Sequence, residues 1–204
     1  MRLRPILRLF IAAALIFSIS IPAIADPGGL YLTEGLMGYE FSFNNSPTSV
    51  TQRLYLSSET GLGYIIDGWF YLGGIFNYTA VNEQTSDGGG TTTNHQETFQ
   101  YYGPSIGYMT DSWYFLAHYF ANAEKKDSLS GAASGTVDNT GNGFGFTIGY
   151  KIPIGSFEIA PAFSLKFINY TNCKDPNTGA TSSCNPTIQQ NEVDPYVTLL
   201  FNFK

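Results

Sequence analysis

Cys173 and Cys184 are the chain's two cysteines and share one polar stretch. In an exported protein such a pair reads as one disulfide, and closing a loop of that size adds about 2–3 kcal/mol in the chain-entropy model. The other chemistry open to them is a redox or metal pair. That would call for a CxxC spacing or a neighbouring histidine, and zinc takes four ligands. There are two histidines. His95 lies in a stretch that reads as a flexible loop, with no evident partner, and His118 lies in an aromatic run. Asp138 to Gly143 and Asp175 to Gly179 touch calcium-loop spacing, but neither ends in the bidentate glutamate that closes an EF-hand. Asp, Asn and Gly are also what turns require, so turns are expected at both. Gly88-Gly89-Gly90 followed by Thr91-Thr92-Thr93 lacks the Gly-Lys-Ser/Thr ending of a phosphate-binding loop and reads as a loop tip.

The elements that hold these residues follow from composition and periodicity. The 204 residues are 43% hydrophobic, 16% aromatic and 13% charged, with 22 glycines and a net charge of -6. Aromatic richness argues against disorder, and an acidic chain with a pI near 4.7 argues against a nucleic-acid partner. At the N-terminus Arg2, Arg4 and Arg8 precede the apolar run Leu9 to Phe17, and Ala23-Ile24-Ala25 forms a small-x-small site before Asp26. This is the pattern of a cleaved secretory signal peptide over 1–25, leaving one domain over 26–204; the alternative is an uncleaved N-terminal anchor.

Beyond that leader the period is two residues. Phe144, Phe146, Ile148, Tyr150 and Ile152 alternate with Gly145, Thr147, Gly149 and Lys151. Phe157, Ile159, Pro161, Phe163, Leu165 and Phe167 alternate with small or polar residues, and Val193 to Phe203 does the same apart from Leu200. Eight strands are predicted, at 29–43, 52–66, 69–81, 97–109, 113–124, 142–152, 157–171 and 192–204. Most are ten residues or longer, enough to cross a bilayer at a tilt. Tight turns join alternate pairs at Asp67-Gly68, Thr110-Asp111-Ser112 and Pro153 to Ser156. The other four connections read as longer polar loops: Asn44–Thr51, Asn82–Gln96, Lys125–Gly141 and Asn172–Asn191. Short turns at one end and long loops at the other follow the outer-membrane barrel pattern. A soluble lipocalin-like or streptavidin-like barrel would point its apolar face inward, where about six large residues per strand would overfill it.

In its signal peptide, eight strands, tight turns and four longer loops, the chain resembles the small OmpA/OmpX-type (OmpW-like) outer-membrane barrels of Gram-negative bacteria. The last strand, with Tyr196, Phe201 and Phe203, resembles the C-terminal assembly signal of such barrels, although Lys204 follows the final aromatic. The resemblance implies an all-β, eight-stranded, up-and-down transmembrane barrel with periplasmic turns. It also implies partners in outer-membrane lipid, lipopolysaccharide and the assembly machinery, with the chain a monomer.

On that architecture the lipid face comprises Leu54, Leu56, Leu62, Phe70, Leu72, Phe76, Ile106, Phe146, Ile148, Phe163, Leu165, Leu199 and Phe201. Tyr39, Tyr64, Trp69, Tyr108, Trp113, Tyr150 and Phe203 fall near strand ends, where aromatic girdles meet the headgroups. Parity assigns Glu34, Glu40, Arg53, Glu59, His118, Glu124, Lys151, Glu158, Lys166, Glu192 and Asp194 to the inner face. Charges there must pair or stay wet. The run from His118 to Ala123 resembles the His-x-Ser stretch of the lipid A deacylase PagL, also an eight-stranded barrel, but Phe120 stands where that family has its serine nucleophile. An imidazole with no hydroxyl to activate carries no such chemistry. The expectation is a non-enzymatic scaffold presenting surface loops, with no cofactor and no bound metal. A narrow porin-like or OmpW-like channel for small solutes or hydrophobic compounds is the alternative, and a lipid A-modifying enzyme, disfavoured by Phe120, is the third reading.

Overall fold

Among the described residues the alternating segments form nine strands: β1 (Leu30–Ser46), β2 (Ser49–Ile66), β3 (Phe70–Asp87), β4 (Thr92–Met109), β5 (Trp113–Ser130), β6 (Gly135–Tyr150), β7 (Ile152–Ile154), β8 (Phe157–Lys174) and β9 (Thr181–Phe203). The computed structural model describes residues 29–46, 49–87, 92–130, 135–174 and 180–203, and among these the side chains of 39–46, 49–50, 87, 129–130, 135–136 and 185–186 lie outside the description. The leader over 1–25, the side chains of Tyr39 and Glu40, the stretches 88–91 and 175–179, and Lys204 therefore lie outside the described residues.

All pairings are antiparallel. Each strand from β1 to β6 pairs with the next, β6 passes over β7 to β8, and β9 returns to β1, so the sheet closes through eight strands. β7 adds three residues to the end of β8. Closure pairs the two outermost strands over Leu30–Leu36 of β1 and Val197–Phe203 of β9, edges that an open sheet would expose.

Three tight turns lie at one end. Asp67 and Gly68 adopt positive φ angles of 52° and 75°. Thr110 Oγ1 accepts hydrogen bonds from the backbone N–H of Trp113 (2.9 Å) and Ser112 (3.3 Å). Gly155 turns β7 into β8 with φ of 64°. Backbone bonds tie neighbouring turns together: Met109 N–H to Trp69 O and Lys151 N–H to Ser112 O, both 2.7 Å.

At the other end the four connections are shorter than expected, because the strands continue into the stretches predicted as loops. β3 runs to Asp87 and β4 begins at Thr92, and β8 runs to Lys174 with β9 from Thr181. Hydroxyl pairs support these polar strands across the ladder, Thr51 with Thr85 and Ser57 with Thr79, each at 3.0 Å. The Asp138–Gly143 segment is part of β6 rather than a turn, and Asp138 meets Lys174 of β8 at 3.2 Å. His95 is likewise on β4 rather than in a loop.

Facing follows the two-residue period, with two departures from the expected inner face. In β1 the buried positions are Tyr31, Thr33 and Gly35, so Glu34 stands on the outer face beside Leu36. There it accepts hydrogen bonds from Thr60 Oγ1 at 2.6 Å and Ser58 Oγ at 3.2 Å. In β5 the register shifts between Phe120 and Ala123. The extra residue reverses parity, as a bulge must. Glu124 consequently faces outward and pairs with Lys126 at 2.9 Å. Leu200, which breaks the alternation of the last strand, is fully buried inside the ring.

Candidate functional site

The lumen is filled in layers. Nearest the turns, Tyr31, Ile65, Tyr71, Met109, Tyr114, Leu116, Ala160 and Leu200 pack into one cluster. Glycines on the inner face make room for these rings: a Cβ at Gly149 would stand 2.3 Å from the Tyr114 ring. Lys151 and Glu158 meet within this layer at 3.3 Å, and Tyr31 donates its hydroxyl hydrogen to Glu158.

A polar layer lies above. Lys166 has no exposed side-chain surface and contacts Asp194 at 2.5 Å and Glu192 at 3.7 Å. Tyr55 donates to Asp194 at 2.7 Å, Tyr101 donates to Glu192 at 2.6 Å, and Tyr196 donates to Glu59. A charge held in low dielectric is tolerable when paired and hydrogen-bonded; Lys166 and Asp194 meet both conditions, whereas among the described residues Glu59 has no ion pair and the buried Oε2 atoms of Glu59 and Glu192 have no hydrogen-bond partner. His118 is buried with both ring nitrogens engaged, Nδ1 with Ser105 Oγ and Nε2 with Thr147 Oγ1, each at 2.9 Å. Hydroxyls therefore do surround the imidazole, supplied by neighbouring strands rather than by position 120. Ser105 is 1% exposed. Phe120 instead packs in the second apolar layer with Ile75, Val81, Phe99, Tyr101, Ala123, Ile168 and Tyr170.

Arg53 faces inward near the loop end, where Thr79, Glu97, Lys125 and Gln190 share a cavity of about 430 Å³ with it. Lys125 pairs with Glu97 at 2.7 Å and lies 5.3 Å from the Phe99 ring centroid. Close by, His95 Nε2 meets Asp127 Oδ1 at 2.7 Å, a partner that only the β4–β5 register reveals. His95, Glu97 and Asp127 bring ligand atoms within 4.8 Å of one another. Three such ligands could hold a divalent transition metal with an open position, although Glu97 and Asp127 are already matched by Lys125 and His95.

The outer surface changes character along each strand. Near the turns Tyr64, Trp69, Tyr108, Trp113 and Tyr150 are each between 43% and 48% exposed, and Phe203 is partly exposed. Trp69 contacts Tyr108 at 5.4 Å between ring centroids, and Trp113 contacts Tyr150 at 4.9 Å. About 20 Å farther along the strands a second aromatic row contains Phe76, Tyr102, Tyr119, Phe144 and Phe167. Leu72, Ile106, Phe115, Phe146 and Ile148 occupy the band between the rows. Beyond the second row the outer positions turn polar, with Asn82 and Gln84 on β3, Gln96 on β4 and Lys126 on β5. Cys173 and Cys184 are joined in a disulfide that links β8 to β9 at the loop end.

No family model matches the sequence, and no curated protein matches it. Among solved structures, the chain is similar to the outer membrane protease OmpT from Escherichia coli at 9% identity, covering 86% of this chain and 93% of that one with a TM-score of 0.40. It is also similar to the beta domain of the Bordetella autotransporter BrkA at 13% identity, covering 82% and 68% with a TM-score of 0.39. Likenesses this distant say nothing about activity. What the structure itself shows is an antiparallel β-sheet closed into a ring through eight strands.

Proposed function

We propose that the protein is a non-enzymatic barrel of the bacterial outer membrane, closed to through-flow, which carries its polar strand ends beyond the bilayer as an interaction surface. The observation that carries this reading is the outer face, where an apolar band between two aromatic rows gives way to polar positions on the same strands. A ring in water would expose that band to solvent, whereas in lipid it lies against acyl chains. Strands of 18 residues such as β3 are about 60 Å long. At a tilt near 40° they rise about 45 Å, against an apolar band of about 25 Å.

The layered lumen supports a scaffold rather than a channel, since apolar clusters lie on both sides of the buried Lys166 network. The doubly engaged, buried His118 favours a structural imidazole over a catalytic one. In this reading the protein is exported through a cleaved leader, is inserted by the assembly machinery acting on β9, and meets lipopolysaccharide and an external ligand with its polar end. Fractionation combined with a heat-modifiable gel shift tests the location: the protein is expected with outer membranes, and recovery in the soluble fraction would overturn the proposal. Stable open channels in planar bilayers would overturn its closed character.

A further inference from the structure

The loop-end parts of β4 and β5 set three metal-ligating side chains against one another. His95 and Glu97 are two residues apart on β4, so they share its inner face with buried Phe99 and Tyr101. Asp127 lies directly opposite Glu97 on β5. The ladder between these strands runs without a register shift from Asn94 to Tyr102, so regular strands rather than a loop hold all three. Their ligand atoms lie within 4.8 Å of one another, and His95 Nε2 reaches Asp127 Oδ1 at 2.7 Å. Each is half-buried, and Glu97 lines the cavity at the mouth, from which an ion and its waters can enter.

A second observation concerns charge. Like charges directly opposite on neighbouring strands are destabilising, and Glu97 and Asp127 are such a pair. Glu83 stands opposite His95 on β3 and adds a third carboxylate to the same face, with Arg53 opposite it in turn on β2. Among the described residues, Lys125 supplies the one fixed positive charge paired with Glu97 or Asp127. In the His95–Asp127 contact the carboxylate accepts, so Nε2 carries the hydrogen. A divalent cation in place of that hydrogen would lie between the two opposed carboxylates and relieve their repulsion.

We propose that His95, Glu97 and Asp127 form a binding site for a divalent transition metal, with zinc the ion that fits. Zinc holds nitrogen and oxygen ligands at about 2.0–2.2 Å, which spaces tetrahedral ligand atoms about 3.4 Å apart, within reach of small side-chain movements here. Three protein ligands leave the fourth position to water. The imidazole favours zinc over calcium and magnesium, which take oxygen ligands. The proton displaced from Nε2 leaves to solvent. Other soft ligands in the chain are taken up, since Cys173 and Cys184 form the disulfide and His118 has both ring nitrogens engaged in the interior. The bound ion joins β4 to β5 at the loop end, as the disulfide joins β8 to β9. The site stands on the inner face whatever surrounds the barrel; that its ion comes from the external medium rests on the membrane reading above.

The test titrates zinc chloride into the full, untagged chain refolded in detergent micelles. Calorimetry reads the stoichiometry, and NMR of isotope-labelled histidine reads the ligand. One zinc per chain is expected, with the His95 signal moving and the His118 signal fixed. An outer-shell partner of a metal is worth about 10–100-fold in affinity, so loss of a ligand in His95→Gln should weaken binding about a hundredfold, and Asp127→Asn about tenfold or more. Lys125→Met should tighten binding about threefold or more, because it removes a positive charge beside the ion. Calcium in about tenfold excess should leave the zinc in place. Heat-modifiable migration establishes that each variant is folded, and the gain in Lys125→Met stands as a test if a ligand variant is not. No zinc bound by the wild type, unchanged binding in folded His95→Gln, no gain in folded Lys125→Met, or displacement by calcium would each overturn the site. A chain that binds zinc in this way yet is recovered in the soluble fraction upholds the site and refutes the membrane reading alone.

Discussion

Replacing Lys166 with methionine removes the positive centre of the polar layer while preserving much of its length. The ammonium meets Asp194 at 2.5 Å and Glu192 at 3.7 Å with no side-chain surface exposed. Without it, two acidic side chains remain in the interior, held by the Tyr55 and Tyr101 hydroxyls but with no compensating charge. Breaking a buried ion pair from one side costs about 3–5 kcal/mol. A loss at the upper end is expected here because one lysine serves both carboxylates. The assay is urea unfolding of the refolded barrel in vesicles, followed by loss of the fast-migrating folded band. Lys166→Met/Asp194→Asn provides the second arm: removing charge of both signs should recover part of the loss, and the double-mutant cycle should show coupling above about 1 kcal/mol. A single variant within about 1 kcal/mol of wild type, or additive effects in the cycle, would refute the claim that this network organises the lumen.

Three other substitutions probe separate features. Glu34→Leu, which replaces an outward carboxylate on the apolar band, should stabilise the barrel in vesicles by up to about 2 kcal/mol; destabilisation in the same urea titration would argue against an outer-face position. Gly149→Val drives a side chain toward the Tyr114 ring, which stands 2.3 Å from the added Cβ position, and should cost about 1–3 kcal/mol by overpacking. An unchanged unfolding midpoint would show that the ring has room to move. The double variant Cys173→Ser/Cys184→Ser should lose about 2–3 kcal/mol on the chain-entropy model, with amide hydrogen exchange rising in the β8–β9 tip rather than near the turns.

Much of the closed sheet is legible in the chain because β6 and β8 alternate large apolar residues with glycine, alanine or serine on opposite parities. Their lumen faces then read without ambiguity. β1 does not behave that way, since Leu30, Leu32 and Leu36 share one parity while Tyr31 and Met37 share the other. What places Tyr31 inward is a partner 127 positions away, Glu158, and no local pattern reveals that contact. The outward turn of Glu124 depends on a bulge at Phe120–Ala123, and a single added residue leaves no compositional mark. The polar strand ends, rich in Thr, Ser and Asn, look like loops because β-propensity is weak where neither face is apolar; the ladder sustains them through cross-strand hydroxyls. His95 finds Asp127, and His118 finds Ser105, only through register.

The short join between β1 and β9 also bears on how the barrel comes to exist. These strands lie at the two ends of the described chain, so theirs is the contact that closes the longest loop and carries the greatest entropic penalty. Hairpins from β2 to β8 can zip locally, each over many residues, before the ends meet. The ring is thus fastened last by its weakest clasp, seven pairs long. Under tension or denaturant it is expected to part along that line first, opening as a sheet whose hairpins remain folded.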